Sequence, residues 1–139
     1  MRPLIAFLAF AGLVVSALAL HVHYSTGTQP CDINARWDCG IVNHSSYSVI
    51  EHIPVAAIGI VGYLLLGLLA LSRLRAWLFA ASLLGLLFAL HLSSIEKNVL
   101  QVWCLYCVIS QGIIALITIL CLAWLIADRV SRMHKHEPA

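Results

Sequence analysis

Charged residues are scarce in this sequence. Lys and Arg number 8, Asp and Glu 6, or 10% of 139 residues, while 62% of the chain is apolar. An average soluble domain carries about 25% charged residues. A chain this small has no interior large enough to hide so much apolar surface from water, so the composition excludes an ordinary water-soluble globule. The net charge of +2 is too weak and too scattered for a nucleic-acid footprint. There are no internal repeats and no low-complexity tracts, and one domain is the sensible count. No long apolar run has Asp, Glu, Lys or Arg in its middle, which argues against a solute or ion path through the membrane.

What is present is four apolar runs, roughly Leu4–Leu20, Val55–Leu71, Trp77–Leu92 and Val102–Ile126. Each approaches the ~17–25 residues that cross a hydrocarbon core of about 30 Å. Backbone polar groups in lipid must be satisfied within the segment, so each run is read as a helix. The expected fold is an all-α integral membrane protein, a four-helix transmembrane bundle in a single domain, residues 1–139. Its spans lie near 4–23, 55–72, 76–97 and 102–127, with an exoplasmic cap over 24–54 and a polar tail from 128. Arg2, the apolar stretch and Ala17-Leu18-Ala19 also fit a signal peptide loosely; a retained first helix is favoured. With both termini cytoplasmic, the inner face holds Arg2, Arg73, Arg75, Arg129, Arg132 and Lys135 and the outer face Arg36 and Lys97. That is a strong positive-inside bias. Trp103 and Trp124 then mark opposite interfaces of the fourth span.

The connection Ser72-Arg73-Leu74-Arg75 is a tight turn that makes spans two and three antiparallel neighbours. The outer segment from Tyr24 to Pro54 is long enough to expect a function and reads as a partly helical cap. Pro54 suits the start of the second span, where its missing N–H costs nothing. Ser93 to Gln101 extends span three to the surface and turns.

The chemistry lies in cysteines at the edges of apolar runs. Cys104-Leu-Tyr-Cys107 is a CxxC at the head of span four; Cys31 and Cys39 form a wider pair in the cap. All four fall on the outer face, where, in a bacterium, disulfides persist. A helix N-terminus stabilises a thiolate, the nucleophile of disulfide exchange. Cys104 and Cys107 therefore read as a redox pair at the bilayer edge. The loop pair reads either as a structural bond or as a mobile shuttle. A structural zinc site fits the spacing poorly, so no metal is expected. Inert staples are the other bland reading, although a CxxC bond constrains very little fold. Cys121 lies mid-span and reads as a packing residue.

These residues resemble the vitamin K epoxide reductase family: four spans, Cys31-x7-Cys39, then the CxxC at the head of span four. The surrounding residues fit as well: Ile95-Glu96, Trp103-Cys104-Leu-Tyr106-Cys107, Ser110, and Ile53-Pro54-Val55-Ala56-Ala57-Ile58-Gly59 opening span two. The resemblance covers about residues 4–127. In the bacterial disulfide-oxidising quinone reductases, a functional cousin, the CxxC comes before the wider pair.

The resemblance implies a membrane thiol oxidoreductase supporting disulfide formation in exported proteins, sited in a bacterial inner membrane with its active site facing the periplasm. A reduced thioredoxin-like partner attacks Cys31, Cys39 passes the bond to Cys104, and Cys107 passes electrons to a membrane quinone, ubiquinone or menaquinone in class. Many bacterial relatives carry the thioredoxin-like domain fused at the C-terminus; this chain ends in a short tail, so a separate partner is expected. Catalytic roles fall to Cys104, Cys107, Cys31 and Cys39, and quinone contacts to Ser45, Ala56, Gly59, Ser110 and Gln111. Two departures count against epoxide reduction. By spacing, Gln111 stands where the animal enzymes have a Tyr, and Val55 where they have an Asn. The competing hypothesis is a non-enzymatic four-span scaffold or small transporter with structural disulfides.

Of the remaining polar residues, His91 reads equally as a pocket residue or an interfacial one. His44 and His52 in the cap read as bystanders more readily than as aids to thiol deprotonation. Glu96 reads as a surface charge, with tuning of the CxxC the lesser reading. Gly59, Gly62, Gly67 and Gly85 read as sites of close helix packing.

Overall fold

The computed structural model describes residues 2–24, 36–38, 41, 49–50, 52–72 and 74–136. Four helices dominate: α1 (Arg2–Tyr24), α2 (Val55–Leu71), α3 (Arg75–Ile95) and α4 (Leu105–His136). α1, α3 with its extension to Leu100, and α4 are long and apolar enough to cross a membrane; α2 is a shorter apolar helix of 17 residues. At ~1.5 Å per residue α2 spans about 26 Å, just under a hydrocarbon core, and its N-terminal neighbour Pro54 is extended (φ −60°, ψ 137°). The chain is thus an all-α membrane bundle. Large apolar side chains such as Phe7, Phe10, Leu68, Trp77, Leu84 and Ile119 are well exposed, which suits a surface solvated by lipid.

α1 packs along both α2 and α4, and α3 packs along α4; α2 and α3 share a much slighter contact. Two apolar clusters result. The larger, built on Ile5, Ala9, Tyr63, Leu66, Leu78, Ile114 and Ile117, fills the inner part of the bundle. The smaller joins Val22 and Cys104 at the CxxC end, with Leu100, Val102, Leu105, Tyr106 and Cys107 against them. Glycine permits close helix approach at two points. A Cβ on Gly12 would run into the Tyr63 ring, and one on Gly59 would come within 2.8 Å of Ser16 Oγ. Gly59 is therefore a packing glycine, as its sequence context suggests, and Gly12 joins it. A Cβ on Gly62 would meet nothing within 4 Å.

Ser72 caps α2, its N–H donating to Leu68 O at 3.0 Å and its hydroxyl to Leu69 O at 3.0 Å. Across the turn, Arg75 reaches Asp128 on α4 (Nη1 to Oδ1, 2.5 Å), which also accepts from Arg132 Nε at 3.2 Å. The Arg75 guanidinium lies 4.8 Å from the centre of the Trp124 ring. Charge and aromatic thus meet at one end of the bundle, the belt arrangement expected at an interface. α4 runs on through this cluster to His136, so most of the expected tail is helix.

In the cap, a two-residue antiparallel pair joins β1 (Val49–Ile50) to β2 (Ile53–Pro54). His52 sits at its turn with φ 70°, and its side chain is exposed. Trp37 forms a parallel bridge with Trp103. At the end of α3 the chain widens into a π-turn, Glu96–Leu100, and Gln101 closes it in the left-handed region (φ 55°, ψ 25°). π-turns within helices are frequent at functional sites, and this one leads directly into the CxxC.

Candidate active site

The left-handed Gln101 turns the chain so that Val102 and Trp103 run back beside the cap before α4 begins. Trp103 N–H donates to Arg36 O at 2.6 Å, and Asp38 N–H donates to Trp103 O at 3.0 Å. The two indoles lie 6.4 Å apart, tilted by 34°. Asp38 Oδ1 in turn accepts from Ile41 N–H at 3.0 Å. The bridge pins residues 36–38 to the arm that carries the CxxC.

Cys104 flanks the first turn of α4, and Val108 N–H donates to its carbonyl at 3.0 Å. Its side chain is fully buried. Cys107, inside the first turn, is partly buried, and neither sulfur is in a disulfide. Two sulfurs three residues apart at a helix start share one face, and the Cys107 thiol lies within hydrogen-bonding reach of Cys104 and of the Glu96 carboxyl. Glu96 is only 3% exposed, and its Oε2 accepts from Cys104 N–H at 3.3 Å. The surface charge expected from its polar neighbours is in fact a buried group at the CxxC. The π-turn sets this placement: it begins at Glu96, and only Lys97, Asn98 and Val99 within it are exposed.

Below the pair is a cavity of about 250 Å³. Most of its wall is apolar and comes from α2 and α3. Its polar lining is Ser16, Tyr63, Ser93, Glu96, Cys107 and Ser110. An apolar hollow with a few convergent polar groups is the usual form of a small-molecule site. Cys107 lines it; Cys104 does not. Tyr63 and Ser110 are joined across the bundle, with Tyr63 Oη 2.8 Å from both Ser110 O and Ser110 Oγ. The hydroxyl donates to the carbonyl, leaving its lone pairs for the serine.

Of the residues expected at the site, Ala56, Gly59 and Ser110 line this cavity with Cys107, and Val55 lines it too. Gln111 stands outside the wall and is hydrogen-bonded to Ser93, which does line it. His91 is exposed and outside the wall. Cys31, Cys39, His44 and Ser45 lie outside the described residues. Cys121 is buried in the inner cluster beside Ser82, a packing position.

Tyr63, Ser16 and Ser93 were not singled out by sequence reasoning. Their signal was available. Each is a hydroxyl in an otherwise apolar run, but attention to charged residues in mid-span passes over hydroxyls, which are smaller insults to a membrane helix.

The lining brings a thiol, a carboxyl and four hydroxyls to one apolar hollow. A comparison with curated proteins found no match. The model of the vitamin K epoxide reductase family matches residues 3–124. That match covers well over half of the chain and both the cavity and the CxxC, so the chain belongs to the vitamin K epoxide reductase family, a family of membrane oxidoreductases.

Proposed function

We propose that this protein oxidises a thioredoxin-like partner on the outer side of a bacterial inner membrane and passes the electrons to a membrane quinone, so that disulfides form in exported proteins. The observation that carries the reading is the unequal placement of the two CxxC sulfurs. Cys107 faces the cavity, while Cys104 is sealed behind it on the arm that pairs with residues 36–38. That difference supports Cys107 as the sulfur that meets a small acceptor and Cys104 as the one that exchanges with the cap.

In this reaction the partner's thiolate attacks the loop disulfide at Cys31. Cys39 exchanges with Cys104, and Cys107 is released as the thiolate facing the cavity. Each exchange breaks one S–S bond and forms another, so no electron is lost between pairs. The partner's second thiolate frees Cys31, which attacks Cys39, restores the loop bond and releases Cys104. The reduced Cys104–Cys107 pair then re-forms its own bond as two electrons and two protons leave for the quinone, which would supply the oxidising power when bound. Ser110 and Tyr63 offer hydroxyls to the acceptor's oxygens once one of their mutual hydrogen bonds is given up, and Gly62 leaves room for the ring. The isoprenoid tail leaves between α2 and α3, the neighbouring helices that pack least. Epoxide reduction is not part of this proposal, since Val55 lines the wall where a hydrogen-bonding side chain would be needed.

The test is quinone reduction by the purified protein in lipid nanodiscs, driven by a reduced thioredoxin-like donor. Turnover should vanish in each single alanine variant of Cys31, Cys39, Cys104 and Cys107. Full activity without Cys104 or Cys107 would overturn the scheme.

A further inference from the structure

We propose that Glu96 is the acid–base group of the Cys104–Cys107 pair, taking the proton from the Cys107 thiol and delivering it into the cavity; this rests on the thiol-to-quinone reading above. Glutamate is almost never fully buried unless it is partnered, and a carboxyl buried beside a transmembrane bundle is expensive to keep. Glu96 is buried at 3% exposure and touches three things: Cys104 N–H, the Cys107 thiol, and the cavity. The first contact is structural, an acceptor at the start of α4. The other two are not needed for capping. They set a proton acceptor against the sulfur that must become a thiolate, with open space beside it for the group that must be protonated.

The titratable side chains lining the same cavity are Tyr63 from α2 and Cys107 from α4; α1 contributes only Ser16 and Ala19. Tyr63 is engaged with Ser110. On the π-turn itself Lys97 is exposed and absent from the wall. Glu96 is therefore the one carboxyl among the described residues placed against the reacting sulfur. The protons balance. The dithiol loses two protons and two electrons as Cys104 Sγ bonds to Cys107 Sγ. Glu96 takes up each thiol proton in turn and releases it to an acceptor oxygen, ending in the state in which it began.

Glutamine separates the two roles, because its side-chain oxygen still accepts from Cys104 N–H but cannot take up a proton. The full chain in nanodiscs is reduced with dithiothreitol and desalted, and alkylation of Cys107 by iodoacetamide is followed against pH by mass spectrometry, with no quinone present. In a Cys104→Ala background, which removes the neighbouring thiol, the Cys107 thiol and the carboxyl should titrate as a pair and give two steps in the rate; adding Glu96→Gln should leave one and Glu96→Asp two. With dithiothreitol and a short-chain quinone, turnover should fall about 10²-fold in Glu96→Gln and recover substantially in Glu96→Asp. A single step with Glu96 present in the Cys104→Ala background overturns the proposal, as do equal losses of turnover in both Glu96 variants matched by equal losses of thermal stability. Two steps in the Cys104→Ala background together with a wild type that reduces no quinone would instead overturn the acceptor reading and leave Glu96 as the proton carrier of the Cys107 thiol.

Discussion

Trp37 and Trp103 are held side by side by a parallel backbone bridge, with their rings 6.4 Å apart. In sequence each immediately precedes the approach to a cysteine: Asp38 leads to Cys39, and Trp103 to Cys104. A relay between a loop pair and a membrane pair needs such a clamp, since effective concentration falls as the connecting segments gain freedom. Replacing Trp37 with Ala keeps the backbone bonds and removes the ring contact, a pair interaction worth roughly 0.5–1.5 kcal/mol. Turnover driven by a thioredoxin-like donor should fall several-fold. Turnover driven by dithiothreitol acting directly on the CxxC should fall much less. Equal losses with both reductants would show that the ring contact does not serve transfer from the cap.

The two CxxC sulfurs should behave differently when one is removed. Cys107→Ala leaves Cys104 without its resolving partner, so a disulfide between Cys39 and Cys104 should accumulate in membranes quenched with acid and resolved by gel shift. Cys104→Ala should leave the loop bond intact and trap nothing. Cys121→Ala should retain turnover, because Cys121 is buried in the inner cluster away from the cavity wall. A trapped species at Cys107 in the Cys104 variant would reverse the assigned order.

Glycines 12 and 62 make opposite predictions from the same substitution. A Cβ at position 12 collides with the Tyr63 ring, and overpacking of this kind costs typically ~1–3 kcal/mol. Gly12→Ala should therefore lower the unfolding midpoint in a denaturant titration and weaken turnover by displacing Tyr63. At position 62 the Cβ meets open space on the cavity wall. Gly62→Ala should fold at least as well as the wild type, gaining the ~0.5–1 kcal/mol that Ala has over Gly within a helix, while raising the KM for quinone. A wild-type KM in Gly62→Ala would show that the acceptor does not occupy this part of the cavity.

The four helices and the CxxC were legible because each is written locally. Hydrophobic run length sets a span, and a three-residue spacing at a helix start sets a shared face. Glu96 was misread because its exposure depends on a non-local feature, a π-turn followed by a left-handed Gln101, which no periodicity announces. Its neighbours Lys97, Asn98 and Val99 are exposed as expected; one residue of rotation separates them from the site. Tyr63 and Ser110 meet across 47 residues of sequence, and such a pair is visible only once two helices are docked. Gln111 shows the converse, a spacing argument that found the right helix and turn but a side chain engaged with Ser93 behind the wall.

The turn at Gln101 is where backbone strain and site geometry coincide. A non-glycine residue at φ 55° carries an unfavourable contact of its Cβ, roughly 1–2 kcal/mol for an L-residue in this region. Gln101→Gly relieves that contact without moving the arm, at the expense of greater freedom in the unfolded chain. The two effects nearly cancel, so the unfolding midpoint should change little and turnover should persist. Gln101→Val places a β-branched side chain where it is least tolerated. The arm must then swing, breaking the Cys104 N–H contact with Glu96 or the Trp103 bridge to Arg36. The valine variant should lose turnover with either reductant and expose Cys104, now fully buried, to maleimide labelling. Labelling of Cys104 at the wild-type rate would show that the arm holds its position without the left-handed turn.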